Sequence, residues 1–210
     1  MTPSDIQHHI SQTPGALDDF RQWRELLIKW NSRINLVSDA AMNDFWTRHA
    51  LDSWQLWPHI PTSARTLIDL GSGAGFPGLA MAIGCKSRGE GTMTLVESAG
   101  KKANFLRTVI RELNLPATVW ADRAEKLPTH HSSQAPYDVV TARAFAPLPR
   151  LLTYAQPFWG EGTIGLFLKG QSADEELTQA RESWTFHVEK IDSQTDPAGV
   201  ILKIEGLSAR

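Results

Sequence analysis

The stretch Thr66 to Gly84 reads TLIDLGSGAGFPGLAMAIG, with five glycines in its last fourteen residues. An apolar run leads into the glycines and a helix-forming run follows them. Gly71, Gly73, Gly75 and Gly78 strip side chains from a strand-to-helix turn. Such a turn can bend sharply and let a ligand approach the backbone closely. A dinucleotide-binding turn would read Gly-x-Gly-x-x-Gly and aim a helix N-terminus at a pyrophosphate. Here the third glycine comes one position early, at Gly75, and an acid, Asp69, precedes the turn.

Acid-x-Gly-x-Gly-x-Gly resembles the first motif of methyltransferases that use S-adenosylmethionine. That cofactor carries a methionine zwitterion and an adenosine, with no phosphate, and glycines would let the chain approach its methionine and ribose. The same glycines would also serve a turn in another nucleotide-binding or purely structural α/β domain. Two further features bear on the choice. A second strand ends in Glu97, whose carboxylate can accept hydrogen bonds from both ribose hydroxyls. A third ends in ADRAEKL, where Asp122 or Glu125 falls near an adenine position, beside Ala124, whose small side chain leaves room for a flat ring. A solvent-exposed strand-end Glu97 and a helix-capping Glu125 are the plain alternatives.

These residues need a frame. From Thr66 onward, apolar strand patterns alternate with helical ones. TLIDL, TMTLVE, ATVWA, YDVVTAR and GTIGLFLKG read as strands. PGLAMAI, KKANFLRTVIREL, PRLLTYAQPFW and DEELTQAR read as the helices between and after them. TFHVEKI and GVILKIE read as a closing antiparallel pair. Alternation of this kind predicts a mostly parallel sheet with helices on both faces and ligands at the carboxyl ends of the strands. Residues 15 to 60 read as helical. Leu17, Phe20, Trp23, Leu27, Trp30 and Ile34 recur at three- and four-residue spacing, which puts them on one face. A break at NSRINLVS follows, then a second helical pattern through Phe45, His49, Asp52 and Trp57, closed by Pro58. The expected organisation is a helical extension over 1–60 and a main domain over 61–210. The segments GCKSRGEGTM and PTHHSSQAP read as surface loops.

Composition sets the outer bounds. Hydrophobic residues make up 41% and charged residues 21% of the 210, which is ordinary globular usage and excludes global disorder. A net charge of −2 means that any nucleic-acid surface must be a local basic patch. Cys85 is the single cysteine, so no intrachain disulfide can form, and a cytoplasmic protein is expected. No apolar run is long enough to span a membrane. The seven histidines lack zinc-type spacing, so no metal site is expected.

WNSRINL, RHALDS, LIDLGSGAGFPGL, GKKANFL, RAEKL, ARAFAPL and LKG occur in this order over about residues 30 to 170. Together they are similar to the RsmG family, also called glucose-inhibited division protein B. The resemblance implies a bacterial enzyme that transfers methyl from S-adenosylmethionine to N7 of one guanine in 16S ribosomal RNA. It also implies a class I methyltransferase fold: a seven-stranded Rossmann-like α/β sheet with an N-terminal helical extension. By resemblance, Gly71 and Phe76 would surround the methionine, with Gly73 and Gly75 in the same turn. Glu97 would meet the ribose, Ala124 and Glu125 the adenosine, and Arg143 would follow strand four. Glu97-Ser98-Ala99 departs from the aspartate of some members at its first position, which places the carboxylate one methylene farther out. The expected partner is 16S ribosomal RNA or the small ribosomal subunit, bound by a monomer.

The residues agree with N7 chemistry on independent grounds. Exocyclic-amine methylation commonly uses an [Asp/Asn/Ser]-Pro-Pro-aromatic tetrad after strand four, and TARAFAPLPR lacks it. Pyrimidine C5 methylation needs a cysteine nucleophile, and Cys85 lies away from the ligand edge. Guanine N7 carries a lone pair and no proton, so direct attack needs placement rather than a base. Lys101, Lys102, Arg107, Arg111, Arg123, Arg150 and Lys169 could form a positive rim that holds phosphates. A solvated helix face accounts equally for Arg107 and Arg111. Arg143 could touch the cofactor or donate to the guanine's O6. Asn35 and His49 could line the base entrance, or be buried groups that join the extension to the main domain. Most of the tryptophans fall on the apolar stripe and read as core. A small-molecule or protein acceptor, and a cofactor-binding module without transfer activity, are the other functions the same residues would permit.

Overall fold

The computed structural model describes residues 2–123, 126 and 136–210. The expectations for Ala124, Glu125 and most of PTHHSSQAP therefore lie outside the described residues.

The chain opens with a helix, α1 (Pro3–Ser11), inside the expected helical extension but not marked by a pattern of its own. Its start is a reciprocal cap. Thr2 Oγ1 accepts from the Asp5 N–H at 3.3 Å, and the Asp5 carboxylate accepts from the Thr2 N–H at 2.8 Å. Ile6 and Ile10, four apart, bury its inner face. Helix α2 (Ala16–Asn31) buries Ala16, Phe20, Trp23 and Leu27. Asn31 closes the break after it. Its Oδ1 accepts from the N–H groups of Leu36 and Val37 at 2.8 and 3.0 Å, and its Nδ2 donates to the Val37 carbonyl. Asn35 is exposed, so it is not a buried joint. The second helical pattern is no single helix. It runs as α3 (Asp39–Asn43), a π-helical stretch (Trp46–Leu51), α4 (Asp52–Trp54) and a 3-10 turn (Trp57–His59).

The sheet follows the expected alternation. Strands β1 (Thr66–Leu70), β2 (Thr92–Val96), β3 (Ala117–Trp120), β4 (Val139–Arg143) and β5 (Ile164–Lys169) are parallel. Helix α5 (Gly78–Arg88) links β1 to β2, and α6 (Gly100–Glu112) links β2 to β3. Helix α7 (Leu148–Ala155) leads towards β5, and α8 (Ala173–Ala180) leads to β6 (Trp184–Asp192). Strand β7 (Val200–Ala209) inserts antiparallel between β5 and β6. Among the described residues the order is β3-β2-β1-β4-β5-β7-β6. The order reverses between β1 and β4, which opens a crevice at their carboxyl ends. Half of GCKSRGEGTM is the end of α5 and its last two residues open β2, which leaves a short connection between them. Gly89, at φ 76°, stops that helix in the left-handed conformation a side chain resists.

Residues on β1 alternate between two cores. Leu67 faces the cluster shared by Phe20, Trp23, Leu79 and Leu106. Ile68 and Leu70 face the cluster of Leu151, Leu152, Phe167 and Leu202. The helices before residue 60 thus pack into the same core as α5 and α6. Trp23 and Trp54 lie in that core and Trp120 in the other. Lys86 joins α5 to α2 through Asp19 at 2.8 Å.

Asn31→Ala should lower unfolding free energy by about 1–3 kcal/mol, because two partly buried N–H groups lose their acceptor. Chemical denaturation checks this; a change within about 0.3 kcal/mol would mean that the turn holds without the side chain.

Candidate active site

Strand β1 delivers Asp69 to the reversal point, where it is fully buried. Its Oδ1 accepts from Thr141 Oγ1 of β4 at 2.8 Å, and its Oδ2 accepts from the N–H of Gly78, the first residue of α5, at 3.2 Å. Burial pushes its pKa up to about 6, against the hydrogen bonds from Ser72, Thr141 and Gly78. The acid of the motif is therefore a brace within the frame, turned away from the cavity.

The glycines divide their work. Gly71, Gly73 and Gly75 all have positive φ. A side chain on Gly71 would overlap the Phe145 ring, and one on Gly75 would overlap Leu79 and crowd Trp23 at 3.1 Å. A Cβ on Gly73 would meet only the Gly71 carbonyl, at 3.9 Å, so Gly73 faces open space. That space is a cavity of about 340 Å³ lined in part by Gly71, Gly73, Phe76, Glu97, Ser98 and Arg143. Lys102 and Asp122 line it too, as do Leu36 and Val37 from the break after α2. Glu97 is buried at its edge, with Oε2 accepting from the Gly73 N–H at 2.8 Å and Oε1 from the Ala99 N–H at 2.7 Å. Each oxygen keeps a further lone pair. Ala99 contributes that N–H from the position before α6. Gly75 is packed beneath the turn.

Beside it lies a second cavity of about 780 Å³, bounded by His49 and Asp52, the ends of β4 and β5, and the β6–β7 loop. Arg143, Ala144 and Phe145 line both. Arg143 is the wall between them. Its Nη1 donates to Asp52 Oδ2 at 2.8 Å and to the Arg48 carbonyl at 2.9 Å, and Nη2 lies 3.2 Å from His49 Nδ1. Its guanidinium also sits 5.0 Å from the centre of the Phe76 ring. Phe76 stacks on His49 at 4.2 Å and on Trp23 at 4.6 Å. Burial, then the charges of Arg143 and Arg48, push the His49 pKa down to about 4. Its Nδ1 faces a pure donor, so the proton of the neutral ring belongs on Nε2. His49 is thus a buried joint between extension and sheet that also borders the second cavity. Asp52 extends the joint, because its Oδ1 accepts from Thr195 Oγ1 at 2.7 Å on the β6–β7 loop.

The basic candidates separate. Lys102 borders the first cavity, and Lys101, Arg107, Arg111, Arg123 and Arg150 are exposed. Arg107 bonds to Asn104, Arg111 to Glu112, and Arg150 lies over Tyr154. Lys169 lines the second cavity, where its side chain is 10% exposed and its ammonium is held by Glu176 at 2.7 Å and the Ala146 carbonyl. Asp52, Phe145 and Thr195 have no expected site role, although Asp52 stands inside RHALDS and Phe145 inside ARAFAPL.

The model of the GidB family, described as rRNA small subunit methyltransferase G, matches residues 16–198. The chain belongs to this family. It is 50% identical over 192 residues to the ribosomal RNA small subunit methyltransferase G of Parvibaculum lavamentivorans, covering 91% of this chain and 84% of that protein. It is 45% identical to the Rhodospirillum centenum protein of the same name, over 99% of this chain and 92% of that one. Among solved structures, an O-methyltransferase from Bacillus cereus in complex with SAH matches with TM-score 0.61 at 16% identity, covering 88% and 91% of the two chains. A fibrillarin/Nop5p complex matches with TM-score 0.57 at 15% identity, covering 75% and 81%. The fold is that of the Rossmann-like methyltransferases, and this GidB-family chain is a small-subunit ribosomal RNA methyltransferase. No helix among the described residues is long and apolar enough to cross a membrane.

His49 in this GidB-family chain carries a pH signature. Its folded pKa is depressed, so the folded state binds fewer protons than the unfolded state between about pH 6.5 and 4, and stability falls as pH drops through that window. The stability advantage of wild type over His49→Gln should shrink by about 2 kcal/mol between pH 7.5 and 5. Denaturation of both proteins at the two pH values checks this; a constant difference would mean that His49 titrates normally in the fold.

Proposed function

We propose that this chain transfers the methyl group of S-adenosylmethionine to N7 of a guanine in 16S ribosomal RNA, with the donor in the first cavity and the base in the second. The observation that carries this is the junction of the two cavities at Arg143, Ala144 and Phe145. The first cavity fits the donor by its chemistry. Gly73 opens onto it without a side chain, and Glu97 is held by two backbone N–H groups with acceptor capacity to spare for a ribose diol. Phe76 and Gly71 would flank the methionine. When bound, S-adenosylmethionine supplies a sulfonium methyl open to direct displacement.

The chain's own part is placement. Two buried titratable groups beside the cavities have structural roles: Asp69 braces α5 and β4, and His49 is neutral beside Arg143. Neither is needed to remove a proton, because N7 has none. Holding the base in line is an entropic contribution, and rigid walls make it effective. Arg143, fixed by three partners, keeps the wall between the cavities from moving. Lys101 and Arg123, both exposed, are positioned to meet phosphates. In this reading residues 1–60 are a helical extension that walls the acceptor side, and the enzyme works as a cytoplasmic monomer on RNA or on the small subunit, without a metal.

Tritium transfer from labelled donor to small subunits from cells lacking this protein, with mapping of the label, tests the reading. Label on one guanine N7 is expected; label confined to protein or to another base atom would overturn it. Gly73→Val should weaken donor binding at least about a hundredfold by calorimetry, since the side chain enters the cavity; unchanged affinity would remove the turn from the site. Lys101→Glu with Arg123→Glu should weaken RNA capture and reduce its salt slope by about 1 to 2, with donor affinity unaltered. An identical slope would exclude both residues from the RNA surface.

A further inference from the structure

The two cavities share three residues, and only one of them is free to meet a base. Arg143 is bound to Asp52, the Arg48 carbonyl and His49. Ala144 offers a methyl group. Phe145 offers a half-buried ring at the junction. Resting on the assignment of the second cavity to the acceptor, we propose that Phe145 is the platform on which the target guanine stacks as its N7 reaches the junction.

Three features of the fold hold the ring there. Gly71 has no side chain, and any Cβ at that position would overlap the ring. Tyr154 packs against it at 5.5 Å with planes tilted by 57°. Ala144, just before it, has φ 49°, a backbone conformation that an L side chain adopts at a cost. Such strain is retained where the surroundings enforce it, and here it falls on the residue that turns the chain out of β4 between the cavities. A ring held this way by backbone and neighbours loses little freedom when a base arrives. An extruded purine gives up stacking in the RNA, and an aromatic face returns it without reading the base edges. N7 lies on the edge of the purine, so stacking leaves it uncovered. Phe145 therefore acts as a positioning residue, in the place after strand four where the Pro-Pro-aromatic tetrad is missing.

The experiment compares wild type with Phe145→Ala, Phe145→Leu and Phe145→Tyr in labelled-methyl transfer to small subunits. Donor affinity is measured by calorimetry on each protein. Leu keeps apolar bulk against Gly71 and lacks the π face. Expected are losses in kcat/KM of about tenfold to a hundredfold for Ala and for Leu, and recovery to within about threefold for Tyr, with donor Kd unchanged within about threefold throughout. Should the Ala variant fail to fold, Leu against Tyr decides alone. A Leu variant as active as wild type would overturn the platform, as would donor affinity that falls in step with turnover. Absence of transfer by wild type itself would overturn the acceptor reading, and the platform with it.

Discussion

The geometry of the site rests on one buried carboxylate. Asp69 bonds to the first N–H of α5 and to Thr141 on β4, so three elements meet on a single side chain. The glycine turn is the loop between two of those anchors, and its shape follows from them. A helix start needs acceptors for its unpaired N–H groups, and an acid at that end is also favoured by the helix dipole. The cost is desolvation, visible in a pKa raised to about 6. The sign is opposite to that of His49. Between about pH 4 and 6 the folded state holds the Asp69 proton more tightly than the unfolded state, so this group's contribution to stability falls as pH rises through the window. Over the same range His49 makes stability rise with pH, and the two buried groups offset one another.

From that anchor the turn passes Phe76 into a stack that the main domain could not build alone. Trp23 comes from α2 and His49 from the π-helical stretch, and both lie on the Phe76 ring. Arg143 then reaches across from β4 to Asp52 and the Arg48 carbonyl. This ion pair is mostly shielded from water, with both side chains 18–20% exposed. Taking such a pair out of water is costly, and its net contribution to stability is small unless further hydrogen bonds complete it. Here the carbonyl and the imidazole supply them. The arrangement is better understood as fixing one geometry than as adding stability. It sets the helices before residue 60 in a single register against the sheet, and the wall between the two cavities is the result.

What could be read from the chain, and what could not, divides by range. The strands of a buried parallel sheet are continuous apolar runs, and the glycine turn is a local pattern, so β1 to β5 and the first cavity were legible. Glu97 was placed correctly at the edge of that cavity, because a strand end is a local feature too. Helix α1 does not stand out within the helical extension because two isoleucines in a polar segment make a weak stripe; Thr2 and Asp5 carry the better clue as a cap. The break-up of the second helix into α, π and 3-10 turns left no mark on the spacing of Phe45, His49 and Asp52. The pairing of Lys169 with Glu176 has no sequence signal, because Glu176 looks like an ordinary residue of a helix's first turn. Arg143 and Asp52 stand 91 residues apart, and Asp52 and Thr195 stand 143 apart. No periodicity connects them.

The two cavities differ in how they are made, and the difference bears on specificity. The first draws most of its lining from the stretch β1 to α6, where N–H groups fix the Glu97 carboxylate, and Leu36, Val37, Asp122 and Arg143 to Phe145 add to it. The second is assembled from the extension, the ends of β4 and β5, and the β6–β7 loop. Asp52 and Gln55 hold that loop through Thr195 and the Gln194 N–H. Its walls are side chains drawn from distant segments, so a change in any one segment alters its shape. In the proposed assignment the donor cavity centres on the glycine turn and the acceptor cavity on the joint between the sheet and the helices before residue 60, and Arg143 to Phe145 belong to both.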